Sequence, residues 1–157
     1  MDMDTLDVAL RGQPAPDWAD VVVESVPVEA AVVTDPAVWT REIFSARSLP
    51  APVMGLMGLR QMLAPLVGAS RGSWEAFAVR EVSGREALIT QADRHLDFLA
   101  SVGVDAEARL LWVTTAVWFH GWRGRSYFMP VRFLHDPVTR AMMRRAIARV
   151  AQGTMAG

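Results

Sequence analysis

The chain predicts an α+β fold: a curved antiparallel β-sheet around a long C-terminal helix, with two short helices after the first strand. Three observations predict it. Residues 74–120 hold runs of alternating or β-branched apolar residues separated by short turns. From Arg125 to about Gln152 the apolar period becomes helical. Ahead of both, a β-branched run precedes a helix-start signal.

Taken in order, residues 1–19 hold Gly12, Pro14 and Pro16 with little periodicity, and read as an extended leader ending at Trp18. Residues 20–152 read as one domain and residues 153–157 as a flexible tail. Val21 to Val28 is the first strand, pushed towards an edge or its end by Pro27. Thr34-Asp35-Pro36 is a helix start, a capping residue followed by proline at the first helical position. Residues 50–67 form a second, Met-rich helix. Met54, Met57, Leu59, Met62, Leu63 and Leu66 cover most of its circumference, which marks it as buried core or as a cover over a ligand.

Trp74–Val82, Ala87–Gln91, Arg94–Val102 and Leu110–His120 follow as consecutive strands. Ser83-Gly84 turns between the first pair, and residues 103–106 turn between the last pair. Short connections make this an antiparallel meander. In the terminal helix Tyr127, Val131, Leu134, Val138 and Met142 form a stripe, continued by Ala146, Ile147 and Val150. Pro130 and Pro137 must bend or interrupt it. The stripe is the natural cover for one sheet face, and the wedge between them is the default site for an apolar ligand.

Composition excludes several chemistries. The 157 residues contain no cysteine, no lysine and no asparagine. Disulfides, thiolate metal sites, thiol nucleophiles, lysine Schiff bases and a pyridoxal cofactor are therefore ruled out. No cofactor and no metal site are expected: three separated histidines fit no ligand spacing.

The net charge of −1 is unevenly spread. By count, residues 1–40 carry one Arg and eight acids, whereas residues 121–157 carry seven Arg and one Asp. The plain reading is that these segments face each other or merely decorate the surface. The sharper one is a basic helix drawn to phosphate or an anionic membrane. The helix dipole alone favours Arg in the last turns, which supports the plain reading. No nucleic-acid partner is expected. The acidic start lacks a secretion signal, and the apolar stretch Leu49–Leu59 is too short to span a bilayer. A cytoplasmic location without an integral membrane segment is the expectation.

The runs DRHLDF (93–98), LLWVTTAVWFHGWRGRSYF (110–128) and MMRRAIARV (142–150) resemble a bacterial domain family of unknown function within the START-like, birch-pollen-allergen-like (helix-grip) superfamily, also called SRPBCC. The resemblance covers about residues 20–150. It implies the helix-grip fold and a deep hydrophobic cavity. The wider superfamily holds lipid carriers, aromatase/cyclases, hydrolases and condensing enzymes, so it implies no single activity. Where a family-like His-Asn would follow the last strand, this chain has His120-Gly121.

His95 and Asp97 fall two apart on a strand and so share a face, a spacing that suits an acid–base pair. The alternative is that both point outward and pair with nearby arginines. Tyr127 is a candidate hydroxyl donor, Glu24 a candidate proton-transfer group, and Arg123 a binder of carboxylate or phosphate. Val113, Thr115, Val117 and Phe119 make one apolar row of the last strand and, with Met54, Met57 and Val131, are the expected ligand contacts. Trp112 and Trp118 lie on the opposite row, where an exposed aromatic patch would mark a homodimer interface. His135, beside Asp136, is expected at the surface. The functional expectation is a binder of a hydrophobic small molecule: a lipid, polyketide or terpenoid-like compound. The alternative is a cofactor-free cyclase, dehydratase or isomerase acting on such a substrate.

Overall fold

The computed structural model describes residues 13–50, 79–92 and 96–156. Strands β1 (Trp18–Ser25), β2 (Glu81–Ser83), β3 (Glu86–Ala92), β4 (Leu96–Asp105) and β5 (Leu110–Phe119) form one sheet in the order β1-β5-β4-β3-β2. Every neighbouring pair is antiparallel. Helices α1 (Val28–Ala31) and α2 (Pro36–Ile43) follow β1, and α3 (Trp122–Met155) ends the fold. The architecture is the α+β one the sequence predicts: a curved antiparallel sheet with a long C-terminal helix, consistent with a helix-grip.

Several boundaries differ for local reasons. β1 begins at Trp18, inside the expected leader, and ends at Ser25. Val26, Pro27 and Val28 leave the strand because Pro27, at φ −65°, stands extended at the cap of α1. Val26 N–H still donates to the Arg109 carbonyl at 2.9 Å, which ties the strand end to the β4–β5 turn. Of the strand expected over 74–82, β2 keeps only its end; residues 74–78 lie outside the described residues. β4 runs through Gly103 to Asp105, so the turn falls at 106–109. Asp105 closes it by accepting from Ala108 N–H at 2.9 Å, and Arg109 adopts the left-handed φ of 54°. That bond, with Arg85 beside the carboxylate, holds the Asp105 carboxyl below the ordinary range. The Met-rich segment beyond Pro50, with Met54 and Met57, lies outside the described residues.

The start of α2 is as expected. Asp35 Oδ1 accepts from Ala37 N–H at 2.8 Å, with Pro36 in the first position. α3 runs through Pro130 and Pro137 without a break, although each proline removes the N–H that the carbonyl four residues earlier would accept. It continues to Met155.

The pleat sorts the sheet into two faces. Val22, Val102, Val104, Leu111 and Val113 point towards the helices and meet Met142, Met143, Ala146 and Ile147 of α3, with Trp39 and Ile43 of α2. Val22, Val102 and Met143 are fully buried there. Hydrogen bonds and ion pairs tie the edges of this layer. Asp20 of β1 bonds His135 at 3.1 Å, Glu24 bonds Arg140 and Arg144 at 3.2 Å each, and Glu42 of α2 bonds Arg149 at 3.1 Å. The acidic and basic segments thus face each other, as the charge distribution predicts. His135 is not the surface residue expected of it: it faces β1 and packs edge-on against Trp18, ring centroids 5.0 Å apart. Leu134, expected in the buried stripe, is exposed. The two proline positions lie on either side of it, and the inward row passes instead through Phe128, His135, Thr139 and Met142.

Candidate functional site

The sheet face turned away from α3 carries the chemistry that packing alone does not require. Leu88, Leu99 and Trp118 form an apolar cluster on it, and register places Ala116, fully buried, beside Leu99. Asp97, Leu99, Ser101 and Gly103 share this face at the strand period. The row from Asp97 to Ser101 spans about 13 Å, and a polar group marks each end.

At one end stands Glu86, paired in register with Gly103. It is 2% exposed and Ser101 is 1% exposed. Trp112 Nε1–H donates to Glu86 Oε1 at 2.9 Å. The indole reaches across Gly103, where any Cβ would collide with its ring. Glu86 Oε2 and Ser101 Oγ are both buried without a hydrogen-bond partner. Burial pushes the Glu86 carboxyl above its ordinary range; the Trp112 bond and the nearby Ser101 hydroxyl, which stops short of hydrogen-bond geometry, offset this in part.

At the other end Asp97 Oδ2 accepts from His120 Nε2–H at 3.0 Å, and Asp97 Oδ1 is a third buried oxygen without a partner. Asp97 therefore has an imidazole partner, but from the end of β5. His95 lies outside the described residues. The Asp97–His120 pair is open to solvent on one side. A carboxylate that orients an imidazole is the arrangement of a general base or acid near neutral pH. Asp17 caps the same rim, accepting from Phe119 N–H at 2.8 Å and pairing with Arg125 at 3.4 Å.

The other predicted residues fall elsewhere. Glu24 is clamped between Arg140 and Arg144 on the helix side, where it serves as an ionic tie. Val113 is part of the solid core, and Val117 and Thr115 are buried on the same helix-facing row. Phe119 and Phe128 pack at 5.3 Å, and Trp18 and Phe128 at 4.9 Å, closing the far end of that layer. Val131 is half-buried on α3. Arg123 lies over the Trp122 ring, 5.7 Å from its centroid. Tyr127 lies in the first turns of α3, and its side chain is outside the described residues. Trp112 and Trp118 are half-buried, and both indoles are satisfied within the chain, Trp118 by the Pro14 carbonyl at 2.8 Å.

Sequence reasoning missed Glu86 and Ser101. The signal was present as a Glu opening an apolar strand, Glu86-Ala-Leu-Ile, and a Ser within Leu99-Ala-Ser-Val. Both are polar residues within runs that otherwise read as buried. Among the described residues no group of three or more metal-ligating side chains comes together, and no helix is long and apolar enough to cross a membrane. Open hollows of about 520 Å³, beside Glu42 and Arg149, and about 350 Å³, beside Ser25 and Arg109, lie at the margins of the fold.

No curated protein and no solved structure matches the chain. A family model does match residues 13–142, most of the chain and all five strands. The chain belongs to the family described as protein of unknown function (DUF2867).

Proposed function

We propose that this protein binds a hydrophobic small molecule, of lipid, polyketide or terpenoid-like character, on the sheet face remote from α3. One observation carries this reading: three buried side-chain oxygens, Glu86 Oε2, Ser101 Oγ and Asp97 Oδ1, lack partners around an apolar floor of Leu88, Leu99, Ala116 and Trp118. Folded proteins satisfy nearly all such atoms, and leaving one unpaired costs about 1–3 kcal/mol. A ligand with an apolar body and a hydrogen-bonding group near either end would supply what is missing. The layer between the sheet and the C-terminal half of α3 is filled by valines and methionines, so this reading sets the ligand on the opposite face from the expected wedge. The START-like resemblance supports an apolar cargo in general, and this reading departs from it in the face that holds the cargo.

A fluorescent fatty acid such as cis-parinaric acid tests the proposal, together with native mass spectrometry of the purified chain. Saturable probe binding is expected. Glu86→Gln and Ser101→Ala, each close to isosteric, are expected to weaken it roughly three- to tenfold. An absence of both probe binding and retained apolar molecules, or affinities untouched by both substitutions, would sink the reading.

The second reading is a cofactor-free cyclase, dehydratase or isomerase, and the Asp97–His120 pair favours it specifically. In that case His120 moves the proton and Asp97 holds its ring. His120→Gln would then abolish turnover while leaving probe affinity within about twofold; in a pure binder it changes neither.

A further inference from the structure

The two halves of α3 use the same residue types differently. In the second half the arginines are engaged: Arg140 and Arg144 with Glu24, Arg149 with Glu42, and Arg145 with the Ser48 carbonyl. In the first half, Trp122 is 72% exposed, Met129 63%, Phe133 71% and Leu134 52%. Trp122, Met129 and Phe133 are spaced seven and four apart, so at about 100° per residue they fall on one stripe. That stripe is opposite Phe128, His135 and Thr139, which face the sheet. Arg125 and Arg132 flank it on one side, and Arg123 and Leu134 on the other. Arg123 and Arg132 lie over the rings of Trp122 and Phe133, at 5.7 and 5.4 Å, and make no ion pair with any described residue. Residues 121–135 contain three Arg and no acid.

We infer that this face of α3 docks on an anionic phospholipid surface. Large apolar side chains project from a convex helix, and a ring of guanidinium groups surrounds them. That is the pattern of an interfacial helix, whose apolar stripe enters the acyl boundary while arginines reach up to the phosphates. Charge decides against a second copy as the occupant, because a two-fold contact would set the Arg123 and Arg132 flanks of the stripe, with no acid among residues 121–135, against themselves. The inference needs no cargo and stands apart from the ligand proposed above.

Flotation of the full chain with vesicles tests it. Vesicles of phosphatidylcholine mixed with phosphatidylglycerol are compared with vesicles of phosphatidylcholine alone, at low and high salt. Binding is expected to the anionic vesicles only, and to weaken with salt. The Trp122→Ser/Phe133→Ser variant is expected to lose about tenfold or more in partitioning. The Arg123→Gln/Arg132→Gln variant, which keeps every apolar group, is expected to lose roughly fivefold per charge. All four positions are exposed, and a circular dichroism spectrum matching the parent's confirms that each variant is folded. Equal recovery with both vesicle types, or partitioning unchanged by both variants, overturns the inference. So does a dimer in light scattering that Trp122→Ser/Phe133→Ser converts to a monomer, since a second copy would then be the occupant. Retention of an acidic peptide in place of anionic vesicles overturns it equally.

Discussion

The two faces of the sheet are built from the same strands and follow opposite rules. Towards α3 the core is largely apolar and its fully buried hydroxyls are bonded, Thr40 to the Pro36 carbonyl and Ser48 to the Glu42 carbonyl, while polar pairs tie the edges: Asp20 with His135, Glu24 with Arg140 and Arg144. Away from α3, three side-chain oxygens are buried without a partner. The first face is optimised for stability. The second carries a stability cost that folding does not explain, and such costs gather where a protein does its work. On the proposed reading, the comparison separates residues that hold the fold from residues that would hold a ligand.

Substitutions can break this contrast, since trimming a packed or paired group should cost stability whereas neutralising the buried Glu86 carboxyl should not. The largest effect belongs to Met143→Ala, which opens a cavity in a fully buried site. A loss of about 2–5 kcal/mol is expected in urea unfolding. Gly103→Ala comes next. Its Cβ meets the Trp112 ring, so a loss of about 1–3 kcal/mol is expected, with a change in the near-ultraviolet dichroism of that indole. Glu24→Gln leaves two arginines without their carboxylate; about 1–2 kcal/mol should be lost, and less at high salt.

The smallest and most informative effect is a gain. Burial raises the Glu86 carboxyl, so the folded chain holds that proton more tightly than the unfolded chain does. Stability is then unpenalised below the ordinary glutamate range and falls as pH rises through the raised folded value. Glu86→Gln removes that fall. The variant should match the parent in acid and exceed it by up to about 1 kcal/mol at neutral pH. Thermal unfolding across pH measures it. A variant less stable than the parent at neutral pH would mean that Glu86 serves the fold, and the contrast between the faces would be lost.

Much of this was legible along the chain. Alternation located β3, β4 and β5, Asp35-Pro36 marked the start of α2, and the helical period located α3. The opposed charges of the two ends anticipated the ties that join β1 to α3. The facing of the β5 row was also legible, because Leu111 and Val113 are apolar at the strand period. Less legible were the partners of Asp97 and the depth of His135. Asp97 bonds a residue 23 positions away, and His135 one 115 positions away. The chain-local pattern around His135, a histidine beside Asp136 and Pro137, is that of a surface residue.

By itself the sequence determined the order and type of the main strands and of the long helix, the start of α2, and which chemistries are absent for want of lysine and cysteine. These follow from forces that act between near neighbours: backbone sterics, capping and side-chain period. Only the tertiary structure decided that Asp97 meets His120, that Trp112 crosses Gly103 to reach Glu86, and that the exposed stripe of α3 begins at Trp122. Those outcomes depend on strand register and on how a helix with two prolines lies over a sheet. Both are settled by burial summed over the whole chain, which no short window of residues contains.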